Sequence, residues 1–410
     1  MAETDDRLPM PGFRPEAKIL LSVVATCAEG ERASRLRGLL QENIDWERLL
    51  ELSEHNRLTG LLYWHLSRTC RDSVPEAILA LLREYFECAS RRNMLLTREL
   101  IAVLGLFGEH GIPTLPYKGP LLADALYGNV ALRHFSDLDI LVHKADVLRG
   151  KDLLLARGYK AEKPMGAKEE AERLEQEREY IFESANGLVR LEIHWEIHSR
   201  IASYGFDADL LWERAVPKSL AGMTMHTIPP EELFIVLCVH GGEKHNWWRL
   251  KWIADVARLV ETEKDLDWGK IAQHSEALGK ERAVSQGLYL ANVLLGTPLP
   301  DQACRLMRNT REISAFAGLV RGHLFRREFN LPGFKEWLSY VEEMEAPASR
   351  NRSVWRIPRY CLRYLRVVTA PDFGERYTLA LPAWLSFLYH IYRPLRVLAK
   401  HKGGLVGRLR

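Results

Sequence analysis

Two aspartates one residue apart, Asp137 and Asp139, interrupt the otherwise apolar run HFSDLDILV. On a strand, residues two apart project to the same side, with Cα atoms about 6.7 Å apart. Two parallel carboxylates in such a run repel one another and lose hydration, and a divalent cation removes both costs. Hard cations such as Mg2+ take oxygen ligands, often a few carboxylates together with substrate phosphates. One such pair can bridge two ions about 3.5–4 Å apart. Taken alone, the spacing describes equally well a pair of strand-end acids in solvent, or acids paired with the nearby Arg133.

Other residues bear on the same chemistry. In VRLEIHWEIH, Glu192, His194, Glu196 and His198 fall on one face of an alternating segment, and Ile193, Trp195 and Ile197 on the other. Glu192, nearest the start of that strand, is the candidate third carboxylate, with Glu196 on the same face as its alternative. A metalloprotease HExxH is excluded, because that motif needs its Glu beside the first His and a helix under it. A separate site from His194, Glu196 and His198 competes with a plain polar strand face. Lys118 offers a point charge for phosphate, and Gly119 lets backbone N–H groups approach it. The competing reading of Lys118 is a solvated turn lysine. The fork of Arg133 suits phosphate, or an ion pair that orients Asp137 or Asp139. In HGGEKH, His240 and His245 are five apart and do not stack on a helix, and no GxSxG follows. A helix break that feeds a cleft, with Lys244 as a phosphate or acceptor contact, competes there with a simple C-cap. Trp247, Trp248, Trp252 and Asp255 continue at helical spacing and read as packing.

These residues need elements to hold them. Apolar residues recur at helical spacing from 15 to 110, as in WERLLELSEHNRLTGLLYWHL. The period then changes. IPTLPYKG reads as extended, PLLADALYG as a short helix, DLDILV as a strand, KADVLRGKDLLLARGY as a helix, and EYIFESANGLVRLEIHWEIH as a hairpin around Asn186-Gly187. From about 229 the helical pattern returns. The division is therefore an N-terminal helical region (1–90), a small α/β core (91–215), a helical domain (216–345), which the resemblance given below makes the acceptor side, and a basic helical segment (346–410). Residues 350–410 hold 13 Lys/Arg against 2 Asp/Glu, a surplus of 11, while residues 1–349 sum to −8. Docking on the rest of the chain, an anionic partner and a membrane surface are the three readings of that segment.

Composition narrows the function classes. A net charge of +3 over 410 residues does not imply a specific nucleic-acid partner. Six scattered cysteines with no CxxC pair argue against a zinc site or a disulfide framework. The acidic start MAETDDRLPMPGF has no apolar stretch of a signal peptide, and no segment reaches about 18 uncharged apolar residues, so a cytoplasmic protein is expected.

The succession of a Lys-Gly turn, LRHFSDLDILV and LEIHWEIH resembles the family of uncharacterised bacterial nucleotidyltransferases with the DNA polymerase β type of fold. VHGGEKHNWWRLKWIADVARLV and DWGKIA resemble that family's helical half, and the likeness covers roughly residues 90 to 300. It implies an α+β fold: a small mixed-sheet, polymerase β-like core embedded in mostly α-helical N- and C-terminal regions. It also implies Asp137, Asp139 and Glu192 as catalytic residues and metal ligands and Lys118-Gly119 as the nucleotide-side turn, to which the reading of the residues adds Arg133, Ser136 and Lys244 on the nucleotide side. The wider superfamily has Gly-Ser and a helix before its aspartates, whereas Lys118-Gly119-Pro120 stands here, and Pro120 removes one N–H. The activity implied is transfer of an NMP from an NTP, ATP first among them, to an acceptor hydroxyl with release of pyrophosphate, dependent on Mg2+ or Mn2+. The acceptor, a small molecule, peptide or protein, is not legible. A nucleotide-binding scaffold without turnover and an adaptor acting through the basic segment are the competing classes.

Overall fold

The computed structural model describes residues 12–162, 178–197, 208–307 and 310–326, together with positions 170, 174 and 175. The expected basic segment 346–410, with its anionic-surface contact, lies outside the described residues, as does His198. Met1–Arg327 forms one compact unit by its internal contacts.

Four helices lead the chain: α1 (Pro15–Val24), α2 (Glu29–Leu39), α3 (Trp46–His55) and α4 (Thr59–Thr69). The carboxylate of Asp45 caps α3 by accepting from the Arg48 backbone N–H at 3.0 Å. The long α5 (Glu76–Glu109) crosses the expected boundary near residue 90. Its first half packs on α4, and its second half buries Leu96, Leu100, Val103, Leu104 and Phe107 in the core around the sheet.

The core follows as β1 (Thr114–Pro116), α6 (Gly119–Tyr127), β2 (Leu138–Val142), α7 (Val147–Ala156), β3 (Lys160–Ala161), β4 (Glu179–Glu183) and β5 (Arg190–His194). They build one five-stranded mixed sheet in the order β1-β2-β5-β4-β3. β1 runs antiparallel to β2, β2 parallel to β5, and β5 antiparallel to β4. All five residues of β2 are buried, as suits a strand with neighbours on both sides. The hairpin between β4 and β5 forms around Asn186-Gly187 as expected. Its loop is longer than a two-residue turn: Ser184 N–H donates to the Val189 carbonyl, and the Asn186 side chain accepts from Leu188 N–H within it. β5 ends at His194, so the alternating pattern through His198 overstates the strand.

The short α8 (Ala208–Glu213) and the hairpin β6 (Val216–Leu220) with β7 (Met223–Thr227) lead back to helix. The Thr227 hydroxyl donates to the Pro116 carbonyl at 2.6 Å and so pins the end of β1. The helical half is α9 (Pro230–Val239), α10 (Leu250–Thr262), α11 (Trp268–Ala277), α12 (Glu281–Leu295), α13 (Asp301–Leu306) and α14 (Thr310–Leu324). Asn56, at the end of α3, accepts from Leu250 N–H at 2.8 Å and donates to the Leu324 carbonyl at 3.1 Å, which ties the first helices to the last. The fold is thus a small mixed-sheet core inside helical regions, as the sequence predicts. Among the described residues, no helix is long and apolar enough to cross a membrane.

Candidate active site

β1 ends at Pro116, and the chain turns through Tyr117 and Lys118 into α6. Gly119 adopts φ +56°, and a Cβ there would stand 3.2 Å from the Asp137 carbonyl oxygen. Glycine is therefore required twice, for the left-handed backbone and for the close approach. That approach lays the Lys-Gly turn against the residue before β2. The Lys118 ammonium donates to Asp139 Oδ1 at 3.3 Å.

The parallel register does the rest. Asp139 of β2 stands opposite Glu192 of β5, and Leu141 opposite His194. Asp139, Glu192 and His194 are all buried, and each offers a ligand atom within 4.8 Å of the other two. Among the described residues this is the one His/Cys/Asp/Glu cluster so gathered. His194 Nε2 lies 3.3 Å from Asp139 Oδ1 and 3.7 Å from Glu192 Oε2. It has no hydrogen-bond partner of acceptable geometry. Arg190 Nε donates to Glu192 Oε1 at 2.8 Å. Burial raises the Asp139 carboxyl, but the Lys118 charge foremost, and then the His194 ring, outweigh it and hold Asp139 well below the usual carboxylate range. Glu192 moves the other way: burial first, then the charge on Asp139, push it up. Two buried carboxylates, with a buried ring nitrogen beside them, form a donor set that fits a divalent cation.

Asp137 sits one residue before β2, half-buried. Its carboxylate takes no hydrogen bond or ion pair from any described residue. Ser136 is exposed. Glu196, the alternative third acid, lies past the end of β5 and pairs with Arg178 Nε at 2.5 Å, apart from the cluster. The fold thus brings Lys118, Gly119, Asp139 and Glu192 together, with Asp137 alongside.

Arg133 has a partner that sequence reading did not name. Its Nε and Nη2 donate to the two oxygens of Asp255 at 2.9 Å each, and both residues are buried. Asp255, read as packing, is instead the acid of a bidentate ion pair between α10 and the segment before β2. Asn93 of α5 holds the same segment by donating to the carbonyls of Val130 and Arg133. The guanidinium therefore anchors the segment before Asp137 through Asp255, and makes no hydrogen bond or ion pair with either aspartate of the pair.

The HGGEKH segment is a helix break. α9 ends at Val239, His240–Lys244 forms one π-helical turn, and Asn246 and Trp247 take φ +54° and +55°. Trp247 is fully buried, and a Cβ on Gly241 would come within 2.3 Å of its ring. Trp247 and Trp248 thus belong to the break, and only Trp252 and Asp255 lie on α10. Lys244 is exposed on the π turn, and its charge helps lower Asp139. Lys251, next to the break, has no hydrogen bond or ion pair to any described residue. Burial first, and then the charge of Arg133, push it down to about 7, although Asp255 and Asp137 pull it back. Lys118, Lys244 and Lys251 all depress His240 and His245 as well, so their charges converge on one region.

Sequence reading missed His194 and Lys251 as members of this group. The signal for His194 was present: it follows Glu192 by two on the same strand. Lys251 carried none, because its position depends on a π turn and two left-handed residues before α10.

A small mixed sheet with a Lys-Gly helix turn and facing acids on its central parallel strands, enclosed by helices, defines a nucleotidyltransferase core. A family model described as uncharacterised nucleotidyltransferase matches residues 42–296, and the chain belongs to that family. No curated protein matches the chain.

Proposed function

We propose that the protein is a metal-dependent nucleotidyltransferase that catalyses acceptor–OH + NTP → acceptor–O–NMP + pyrophosphate. The observation that carries this reading is the register of Asp139 with Glu192, beside the Lys118-Gly119 turn. Asp137, Asp139 and Glu192 would hold Mg2+ or Mn2+, which would supply neutralisation of phosphate charge and a lowered proton affinity at the attacking hydroxyl. Glu192, beside Asp139 in the register, would be the acid that accepts the proton the hydroxyl releases. Lys118, Lys244 and Lys251 stabilise negative charge on the phosphates as the bond to pyrophosphate breaks. Arg133 keeps the segment before Asp137 in place through Asp255. The helical half, with the break at 240–249, supplies the acceptor side.

ATP is the first triphosphate to try, and the protein is taken as cytoplasmic. A nucleotide-binding scaffold without turnover is the second reading, and Pro120 in the first turn of α6, where it removes an N–H, favours it. Incubating the full chain with each NTP, Mg2+ or Mn2+ and a small-molecule and peptide extract, then searching by mass spectrometry for acceptors heavier by one NMP, tests the proposal. Products formed by wild type and not by Asp139→Asn support it. Nucleotide binding with no such product supports the scaffold.

A further inference from the structure

We propose that His194 Nε2 is itself a metal ligand, and that this nitrogen makes the site take Mn2+ ahead of Mg2+. The inference rests on the reading of the site as metal-dependent and goes beyond it in naming a fourth residue and the preferred ion.

His194 is the last residue of β5 and only 5% exposed. Its Nε2 is buried and lies between Asp139 and Glu192, 3.3 Å from the nearer carboxylate, in a geometry that does not complete a hydrogen bond. A buried polar atom without a partner is uncommon and calls for a reason. A carboxylate stands on the ring's other side. Nδ1 lies 3.7 Å from Glu179 Oε2, and Glu179 is the register partner of His194 on β4. Tyr117, just before the Lys-Gly turn, meets the ring edge-on at 5.8 Å between centroids. A carboxylate beside one ring nitrogen and a free second nitrogen is the arrangement by which proteins orient a metal-binding histidine. In that state Nδ1 keeps its proton toward Glu179, and Nε2 presents its lone pair to the two acids.

The spacing agrees. Around an ion with ligands at about 2.1 Å, adjacent ligands sit about 3 Å apart. The 3.3 and 3.7 Å separations of Nε2 from the two carboxylates need only small side-chain rotations to match. Mg2+ demands oxygen and keeps its waters, whereas an imidazole nitrogen in the first shell favours a first-row transition ion. Mn2+ combines acceptance of a nitrogen with an affinity for carboxylate and phosphate oxygen. Asp137, one residue outside β2 and free of partners among the described residues, remains for an ion that arrives with the nucleotide.

The test is pulsed EPR of Mn2+ bound to the full chain, without nucleotide, in parallel with Mn2+ and Mg2+ titrations. Wild type should show nitrogen modulation on Mn2+, and protein labelled with 15N-histidine should show it changed to the 15N pattern, a comparison that needs no variant. His194→Gln, with its fold checked by circular dichroism, should lose the modulation and bind Mn2+ roughly tenfold or more weaker, while Mg2+ affinity changes little. Wild type should prefer Mn2+ over Mg2+ by roughly tenfold or more. Mn2+ that binds in an Asp139-dependent manner without nitrogen modulation overturns the role of His194 and leaves the nucleotidyltransferase reading standing on its carboxylates. Mn2+ binding that is absent, or indifferent to Asp139→Asn, overturns the role of His194, while the nucleotidyltransferase reading falls only if wild type also forms no NMP-bearing product.

Discussion

Asp139 and Glu192 face each other across two parallel strands that lie together inside the sheet, each in the register position that places its carboxylate beside the other. Neither acid reaches the other through local sequence; 53 residues separate them, and the pairing of β2 with β5 alone brings them together. The expected consequence is unequal roles for the acids of β5. Glu192→Gln should lower the rate of pyrophosphate release by at least ~10², because a ligand and a proton acceptor are both lost. Glu196→Gln, which only breaks a pair with Arg178, should leave the rate nearly unchanged. Initial rates at saturating metal decide the ranking.

The buried pair of Arg133 with Asp255 makes a stability prediction. Asp255→Ala leaves a guanidinium buried with no acid and should destabilise the chain by about 3–5 kcal/mol in denaturant unfolding. Arg133→Lys should recover only part of the wild-type stability, because one ammonium cannot reproduce two parallel N–H···O bonds.

Gly119 is a backbone requirement. In Gly119→Ala the left-handed conformation costs about 1–2 kcal/mol. The new Cβ also meets the Asp137 carbonyl at 3.2 Å. The turn can relieve both only by moving away from β2, so the variant should lose stability and bind metal and nucleotide more weakly. Calorimetric titration of Mn2+ into the variant checks this.

Lys251 predicts a pH dependence with a definite sign. Held at about 7 in the folded chain, it is charged below that pH and neutral above it. Nucleotide affinity should therefore fall as pH rises from 7 to 9, and Lys251→Met should flatten the profile. Stability runs oppositely. The unfolded lysine keeps its proton up to about pH 10.4, so between about 7 and 10 the unfolded state binds more protons and stability rises with pH. Lys251→Met should accordingly raise the melting temperature more at pH 7 than at pH 10.

Much of this was legible in the sequence, for identifiable reasons. The period-two spacing of Asp137 with Asp139, and of Glu192 with His194, is a direct consequence of strand geometry and could be read without a structure. The Lys-Gly turn was legible because Gly and Pro punctuate the chain. The end of β5 was not, since alternation continues in sequence past His194 although the strand ends there. The Arg133–Asp255 pair was not legible either: it joins residues 122 apart, and Asp255 fits the helical pattern of α10 as well as any packing residue. Lys251 depended on the π turn, which no local rule announces.

The central claim is attack at the α-phosphorus of a nucleoside triphosphate, and its most direct measurement is 31P NMR of the products formed in 18O-water with Mg2+ or Mn2+, water standing in for the acceptor. The account predicts slow conversion of NTP to NMP and pyrophosphate, with 18O in the NMP alone and no turnover by Asp137→Asn or Asp139→Asn. Formation of NDP and phosphate, 18O in the pyrophosphate, or equal turnover by either variant would contradict it.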